Sequence, residues 1–386
     1  MKIVQYMSRI RLEDGGVVRA VLDLCGALAA RGHDVTLLSL DATDVPQPWL
    51  SGDPGRPRVE LIERQIGVLP HVSCATAERV RRSIQHADLV HLHVPWDPLC
   101  LQLGRLARRA GKPYVVSLHG MLDDWCMAQK GFKKRLYLAV VGRRFLERAA
   151  AVHCTADAER DQSYKWYPRG RPIVVPLIFD LSAYEDLPGP ELARRTFASA
   201  FGDSGDAVVL FLSRLHPIKG LELLIQAAEQ LRDDGLAFKL LIAGAGDQQY
   251  DESMRRLVQR LGLSERVAFL GFVSGRTKVS LYQAADVFVL PTSHENWGFV
   301  SVESLACGTP IIITRGVDIW PELESSGGAV IVDSTPQAIA AAIATLLGHQ
   351  SRRQSMQQKG RAWVLQNLSL ERVLGQYEQA YRCLIT

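Results

Sequence analysis

The 386-residue sequence predicts an α/β fold of two doubly wound units, each a parallel sheet with helices on both faces. Three observations carry that expectation. Short runs rich in β-branched residues alternate with amphipathic stretches of about 10–15 residues, the signature of βαβ units. Several runs, such as Val208-Val209-Leu210-Phe211-Leu212, are apolar throughout, which suits strands buried on both faces. The pattern also restarts after a stretch at 176–190 that holds Pro176, Pro188, Gly189 and Pro190 and reads as a linker.

Taken in order, the first unit should contain strands at 2–6, 35–40, 58–62, 88–93, 114–118, 151–154 and 172–175, with a helix at 16–31 behind the first strand. The second unit follows a turn at 202–206. Its strands should lie at 207–212, 238–243, 267–270, 286–290, 310–314 and 329–332, with helices at 221–232, 251–261 and 336–347. The last segment, 369–384, opens with Ser369 as a helix cap and Glu371 in the first turn. It is long enough to return to the first unit. The expected domains are therefore 1–185 and 186–368, with 369–384 packing back on the first.

Composition removes several classes. With 47% hydrophobic residues the chain can offset the entropy of ordering, so it is not a disordered protein. No apolar run approaches the roughly 18 residues of a membrane span. The start lacks the apolar region of a secretory signal, and Arg9, Arg11, Glu13 and Asp14 follow it directly. The seven cysteines are dispersed without a CxxC pair, which argues against a disulfide framework or structural zinc and for a reducing cytoplasm. A net charge of +4 is too mild to imply nucleic acid as a partner. The charge is nevertheless uneven: residues 101–150 hold eleven basic residues against three acidic ones. The run from Lys130 to Arg148 interleaves its cations with Phe132, Leu136, Leu138, Val140, Val141 and Phe145, which suits either an anionic membrane surface or a solvated helix face.

Three loops hold residues able to do chemistry. Gly15-Gly16 lies between the first strand and its helix, where paired glycines allow either a tight turn or close approach of the backbone to an anion. Ser213-Arg214-Leu215-His216-Pro217-Ile218-Lys219-Gly220 sets two cations on a strand-to-helix turn. Positive charge at a helix N-terminus is unfavourable unless an anion arrives, and Arg214 and Lys219 are the side chains that would grip a phosphate. The third loop is Ser293-His294-Glu295-Asn296-Trp297-Gly298, followed by a helix that Gly308 and Pro310 should stop. The amides of Gly298, Phe299 and Val300 would point out of the sheet as donors. Glu303 lies within that helix between Val302 and Leu305, and a glutamate amid apolar neighbours requires a partner, such as a sugar or ribose hydroxyl.

Weaker signals are His91 and His93, whose two-residue spacing shares a strand face, as a metal pair or as strand-end histidines. Asp123-Asp124 is not a DxD motif, and none occurs.

Glu295 and Glu303, closing on Ala306-Cys307-Gly308-Thr309-Pro310, resemble the signature of retaining glycosyltransferase family four. The loop from Ser213-Arg214 to Lys219-Gly220 is similar to that family's diphosphate loop, Gly15-Gly16 to its N-terminal glycine pair, and Ser117-Leu118-His119-Gly120-Met121 to its acceptor-domain histidine segment. The likeness spans nearly the whole chain, in the family's order. Trp297 stands where phenylalanine is common, and Pro176-Leu177-Ile178-Phe179-Asp180 replaces an asparagine-glycine-valine-aspartate run.

The resemblance implies the GT-B fold, two facing Rossmann-like domains with a cleft between them. It implies that Glu295 holds donor-sugar hydroxyls, Glu303 the ribose, Arg214 and Lys219 the diphosphate, and the amides of Gly298, Phe299 and Val300 the sugar and phosphate. Gly16 would lie against the phosphate, and His119 would contact the transferring sugar. The implied activity is metal-independent, retaining transfer of a hexose from a UDP- or GDP-sugar to a glycan or lipid-linked acceptor, in bacterial cell-surface polysaccharide biosynthesis. No cofactor is implied, and the setting would be the cytoplasm or the inner face of its membrane. Two other readings stand beside it: a nucleotide-sugar 2-epimerase on the same fold, and a non-enzymatic two-domain sugar-binding protein. The missing GxGxxG disfavours a dinucleotide-dependent oxidoreductase.

Overall fold

In the computed structural model, which describes residues 1–65, 71–202 and 205–385, the β-branched runs form two parallel sheets. Residues 203 and 204 of the expected turn lie outside the described residues. The chain divides into a unit of Met1–Asp180 with Leu370–Thr386, and a unit of Leu181–Ser369.

The N-terminal unit contains β1 (Lys2–Tyr6), β2 (Asp34–Ser39), β3 (Arg58–Leu61), β4 (Arg64–Gln65), β5 (His71–Val72), β6 (Leu89–His93), β7 (Tyr114–Ser117), β8 (Ala151–Cys154) and β9 (Pro172–Val174). Its sheet runs β3-β2-β1-β6-β7-β8-β9. The ribbon β4-β5 is antiparallel and was not foreseen, because two-residue strands leave no periodic signal. The C-terminal unit contains β10 (Ala207–Leu212), β11 (Phe238–Ala243), β12 (Val267–Gly271), β13 (Val287–Leu290), β14 (Ile311–Thr314) and β15 (Ala329–Val332), in the order β12-β11-β10-β13-β14-β15. Every strand expected from the sequence occurs within one residue of its expected ends.

In both sheets the winding reverses beside the first strand, at β1/β6 and at β10/β13. Such reversals open the loops at the carboxyl ends of the strands, where ligands bind in open α/β sheets.

Strand alternation sorts the N-terminal core into two faces. Val4, Tyr6, Val90, Leu92, Val116 and Val152 face one side, under the helices Cys74–His86 and Pro98–Arg109. Ile3, Leu89, Val115 and Ala151 face the other, under the helix Gly16–Ala30 and the final helix Leu370–Ile385. Val373, Leu374, Tyr377 and Tyr381 of that final helix are buried there. Its polar side is tied down as well, by Arg31 on Glu371 at 2.6 Å and His33 on Glu378 at 2.8 Å.

Candidate functional site

In the C-terminal unit the reversal at β10/β13 sets the loop after β10 beside the loop after β13. The Thr292 hydroxyl and the Ser293 amide both donate to the Ile218 carbonyl at 2.8 Å. The loop after β14 braces the other side: the Glu295 amide donates to the Gly316 carbonyl at 2.7 Å, and the Asp318 amide to the Glu295 carbonyl at 2.9 Å. Gly220 is required here. Its φ is +72°, and a Cβ would stand 2.0 Å from the Pro291 carbonyl oxygen.

This bracing brings Lys219, at the end of the 3₁₀ turn Pro217–Lys219, into contact with the Glu295 carboxylate. Their side chains are only 12% and 25% exposed, so each charge depends on its partner. Burial and the nearby charge of Arg214 push the Lys219 ammonium down to about 8. Arg214 itself is exposed and makes no ion pair among the described residues.

Gly298, with φ +67°, caps the helix Phe299–Ala306 in the left-handed conformation, and a Cβ there would meet Val317 at 3.0 Å. At the start of a helix the first amides lack intrahelical partners. Two neighbouring side-chain atoms, Trp297 Nε1 and Ser301 Oγ, are buried with no hydrogen-bond partner among the described residues. Buried polar atoms are normally satisfied, so this end of the helix has unfilled hydrogen-bonding capacity.

The Glu303 carboxylate accepts from Lys278 Nζ at 2.7 Å and Tyr282 hydroxyl at 3.1 Å. The sequence points to a partner for Glu303, but not to these two. Their four-residue spacing on the helix Gly275–Ala284 puts them on one face, which is the signal that would have found them.

Gly16 and His119 belong to the N-terminal unit. Gly16 is the exposed first residue of the helix after β1, reached through Gly15 at φ +108°. His119 follows β7 at φ +52°, a conformation uncommon for a residue with a side chain. The next amide, of Gly120, donates to the buried Glu159 carboxylate, which also accepts from the Thr155 hydroxyl at 2.9 Å. His119 Nε2 lies 2.9 Å from His93 Nδ1, and burial pushes the His119 imidazole down to about 3, keeping it neutral.

His91 and His93 do share a face, but every ring nitrogen is engaged: His91 by Tyr381 and Ser117 at 2.7 Å each, His93 by His119 and Gln5 at 2.9 Å each. No lone pair is left for a metal, so of the two readings the strand-end histidines stand. Asp123 caps the helix Asp124–Ala128 by accepting from the Cys126 amide at 2.6 Å, and Asp124 pairs with Lys165.

In the basic run, Leu138 and Phe145 are buried, whereas Phe132, Leu136 and Val140 are 81%, 54% and 61% exposed. Their four-residue spacing aligns them on one face of the continuous helical run 131–147. No helix among the described residues is long and apolar enough to cross a membrane.

Comparison with known proteins agrees with this architecture. Residues 15–177 match the family model "Glycosyl transferase 4-like domain", and residues 194–363 match "Glycosyl transferases group 1". The chain is 29% identical to a D-inositol 3-phosphate glycosyltransferase of Kineococcus radiotolerans, over 89% of this chain and 84% of that one. It is 26% identical to a GDP-mannose-dependent alpha-(1-6)-phosphatidylinositol dimannoside mannosyltransferase of Mycobacterium tuberculosis, over 99% and 98%. Anabaena HepE, solved with UDP-glucose, has a similar fold, with a TM-score of 0.76, 20% identity and coverage of 99% of this chain and 100% of that one. With a glycosyltransferase model over each unit and relatives along its whole length, the chain belongs to glycosyltransferase family four, the nucleotide-sugar glycosyltransferases of GT-B fold.

Proposed function

We propose that this glycosyltransferase moves a hexose from a UDP- or GDP-sugar to a glycan or lipid-linked acceptor, with retention at the anomeric carbon. The observation that carries the proposal is the cluster at the β10/β13 reversal: Lys219 held on Glu295, with exposed Arg214 beside it. In this reading Arg214 and Lys219 take the diphosphate, and the amides of Gly298, Phe299 and Val300 take the phosphate and the sugar. Glu295 exchanges part of its hold on Lys219 for sugar hydroxyls. Glu303, oriented by Lys278 and Tyr282, accepts from the ribose hydroxyls. Gly16 lies near phosphate, and His119 contacts the transferring sugar. The names of the relatives, one GDP-mannose-dependent and one acting on inositol phosphate, support a nucleotide-sugar donor and a polyhydroxylated acceptor.

In this scheme the acceptor oxygen attacks the anomeric carbon from the face the diphosphate leaves. The bond from carbon to the diphosphate oxygen breaks, the bond to the acceptor oxygen forms, and a phosphate oxygen takes the acceptor's proton. No covalent glycosyl-enzyme forms, because the carboxylates have other work: Glu295 and Glu303 hold hydroxyls, Asp123 caps a helix and Asp124 pairs with Lys165. The rate enhancement is then electrostatic, from cations and amides that stabilise charge growing on the diphosphate. These groups also replace a divalent metal as its counter-charge.

Thermal-shift screening against UDP-, GDP- and ADP-hexoses tests the donor, since a ligand of the native state raises apparent stability. NMR of the product anomer tests the stereochemistry. No stabilisation by any nucleotide sugar refutes the donor reading, and an inverted anomer refutes retention. We also propose that exposed Phe132, Leu136 and Val140, flanked by Lys130, Lys133, Arg135, Arg143 and Arg144, rest on anionic membrane. Binding to anionic vesicles should fall as salt rises, and equal partitioning to neutral vesicles refutes it.

A further inference from the structure

The strands of the N-terminal unit carry a line of polar side chains through an apolar core. Gln5, His91, His93, Ser117 and His153 sit on alternate positions of adjacent strands, paired in register as Gln5 with His91, His93 with Ser117 and Ser117 with His153. All five are at most 2% exposed. The final helix adds Tyr381 from above.

We propose that this line is a one-way hydrogen-bond relay that leaves His119 Nδ1 as a bare acceptor, so that His119 receives a hydrogen bond from a hydroxyl of its ligand and does not give one. The ligand half of the proposal rests on the reading of His119 as a sugar contact.

The direction follows from the far end. A backbone carbonyl only accepts, so His153 Nε2, 2.8 Å from the Val175 oxygen, carries the hydrogen. A neutral imidazole has one donor and one acceptor, so His153 Nδ1 accepts from the Ser117 hydroxyl at 2.6 Å. That hydroxyl oxygen then accepts from His91 Nε2 at 2.7 Å, and His91 Nδ1 accepts from the Tyr381 hydroxyl at 2.7 Å. The Tyr381 oxygen faces the Gln5 amide nitrogen at 3.5 Å, which turns Gln5 Oε1 toward His93 Nε2 at 2.9 Å. His93 Nε2 therefore donates, and His93 Nδ1 accepts from His119 Nε2 at 2.9 Å. His119 has spent its one proton, and its Nδ1 is buried without a partner among the described residues. Reversing the relay would set a His153 lone pair against the Val175 carbonyl.

The relay requires four neutral rings, and burial supplies that. His91 and His93 are held well below their ordinary value, His119 near 3 and His153 near 4. Tyr377, 3.3 Å from His153 Nε2, is a second acceptor for the same hydrogen. A buried acceptor left without a partner is costly, and the fold keeps one at the atom that would meet the sugar. His93, Gln5, Tyr381, His91, Ser117 and His153 are then positioning residues, acting through His119.

The test is the tautomer of His119, read by long-range proton–nitrogen NMR of histidine-labelled, ligand-free protein, with His119→Gln assigning the signals. The expected result is a protonated Nε2 and an unprotonated Nδ1. Ser117→Ala cuts the relay from its carbonyl anchor. It should mix the two His119 tautomers and lower kcat about threefold to tenfold, the effect of one hydrogen bond, and Ser117→Thr should restore both. If Ser117→Ala does not fold, Tyr381→Phe cuts the next link from the final helix. A protonated Nδ1 in the wild type, or an unchanged His119 tautomer in a folded relay variant, overturns the relay. Because the tautomer is read without ligand, absence of sugar transfer by the wild type refutes only the function reading, and with it the hydroxyl as partner.

Discussion

At the reversal of the C-terminal sheet the polar side chains that bind one another are half-buried and charged, Lys219 with Glu295 and, between the helices Gly275–Ala284 and Phe299–Ala306, Lys278 with Glu303. Around β6 and β7 of the N-terminal sheet they are neutral and linked in series, through Gln5, His91, His93 and His119. The difference tracks solvent access. Glu295 and Lys278 keep about a quarter of their side-chain surface exposed, and there a charge retains enough hydration to persist beside a counter-charge. The histidines face a dry core between sheet and helices, where an unpaired charge would cost far more than a chain of neutral hydrogen bonds. In the roles proposed for them, the first set meets anionic charge and the second a neutral hydroxyl.

The largest expected effect that tests this contrast is Lys219→Ala, which removes charge from the diphosphate loop. Turnover should fall about a hundredfold or more, whereas Asp123→Asn and Asp124→Asn should cost much less. Comparable losses in all three, by steady-state kinetics with matched donor, would break the assignment. Next is Glu303→Ala, which should weaken free nucleotide and donor alike, by roughly tenfold, as read by calorimetric titration. Glu295→Gln should act mainly on turnover and on discrimination between hexoses. Variants whose nucleotide affinity and turnover match wild type would erase the distinction between the two carboxylates.

The N-terminal histidines predict a smaller effect with a definite sign. Their folded pKa values lie below the unfolded value of about 6.5, so the unfolded chain takes up protons first. Their contribution is full above about pH 6.5 and is lost as pH falls toward 4 and then 3. Each histidine adds up to about 1.4 kcal/mol per pH unit to that slope. Asp123, raised by burial to about 6, works the other way between its unfolded value and 6, but it is one group against four. Denaturant unfolding between pH 7 and 5 should show stability falling, with a shallower slope in His119→Gln. A flat profile would mean that these rings are charged or solvated. The smallest expected effect is none at all: chelation by EDTA should leave turnover unchanged if Arg214, Lys219 and the helix amides supply the counter-charge. Loss of activity restored by manganese would show that they do not.

Much of this was readable beforehand because local features carried it. The alternation of apolar strands with helices, the glycines at 220 and 298, and the order of Arg214, Lys219, Glu295 and Glu303 are properties of short segments, visible without a fold. The pairing of Lys219 with Glu295 spans 76 residues and was not readable, nor was that of Glu303 with Lys278 and Tyr282. The spacing of His91 and His93 showed a shared face, but a face alone does not say whether metal, solvent or protein meets it.

The sequence by itself determined which segments become strands, where the chain turns, and which side chains are able to hold an anion, because backbone preference and apolar periodicity act over a few residues. Strand order and register decided the rest. They set Gln5 beside His91 and Ser117 beside His153, and they let the final helix lower Tyr381 onto that line from 290 residues away in the chain. Only then does the direction of the hydrogen bonds follow, since a proton's position depends on what each neighbour is able to accept, and those neighbours come from six separate segments.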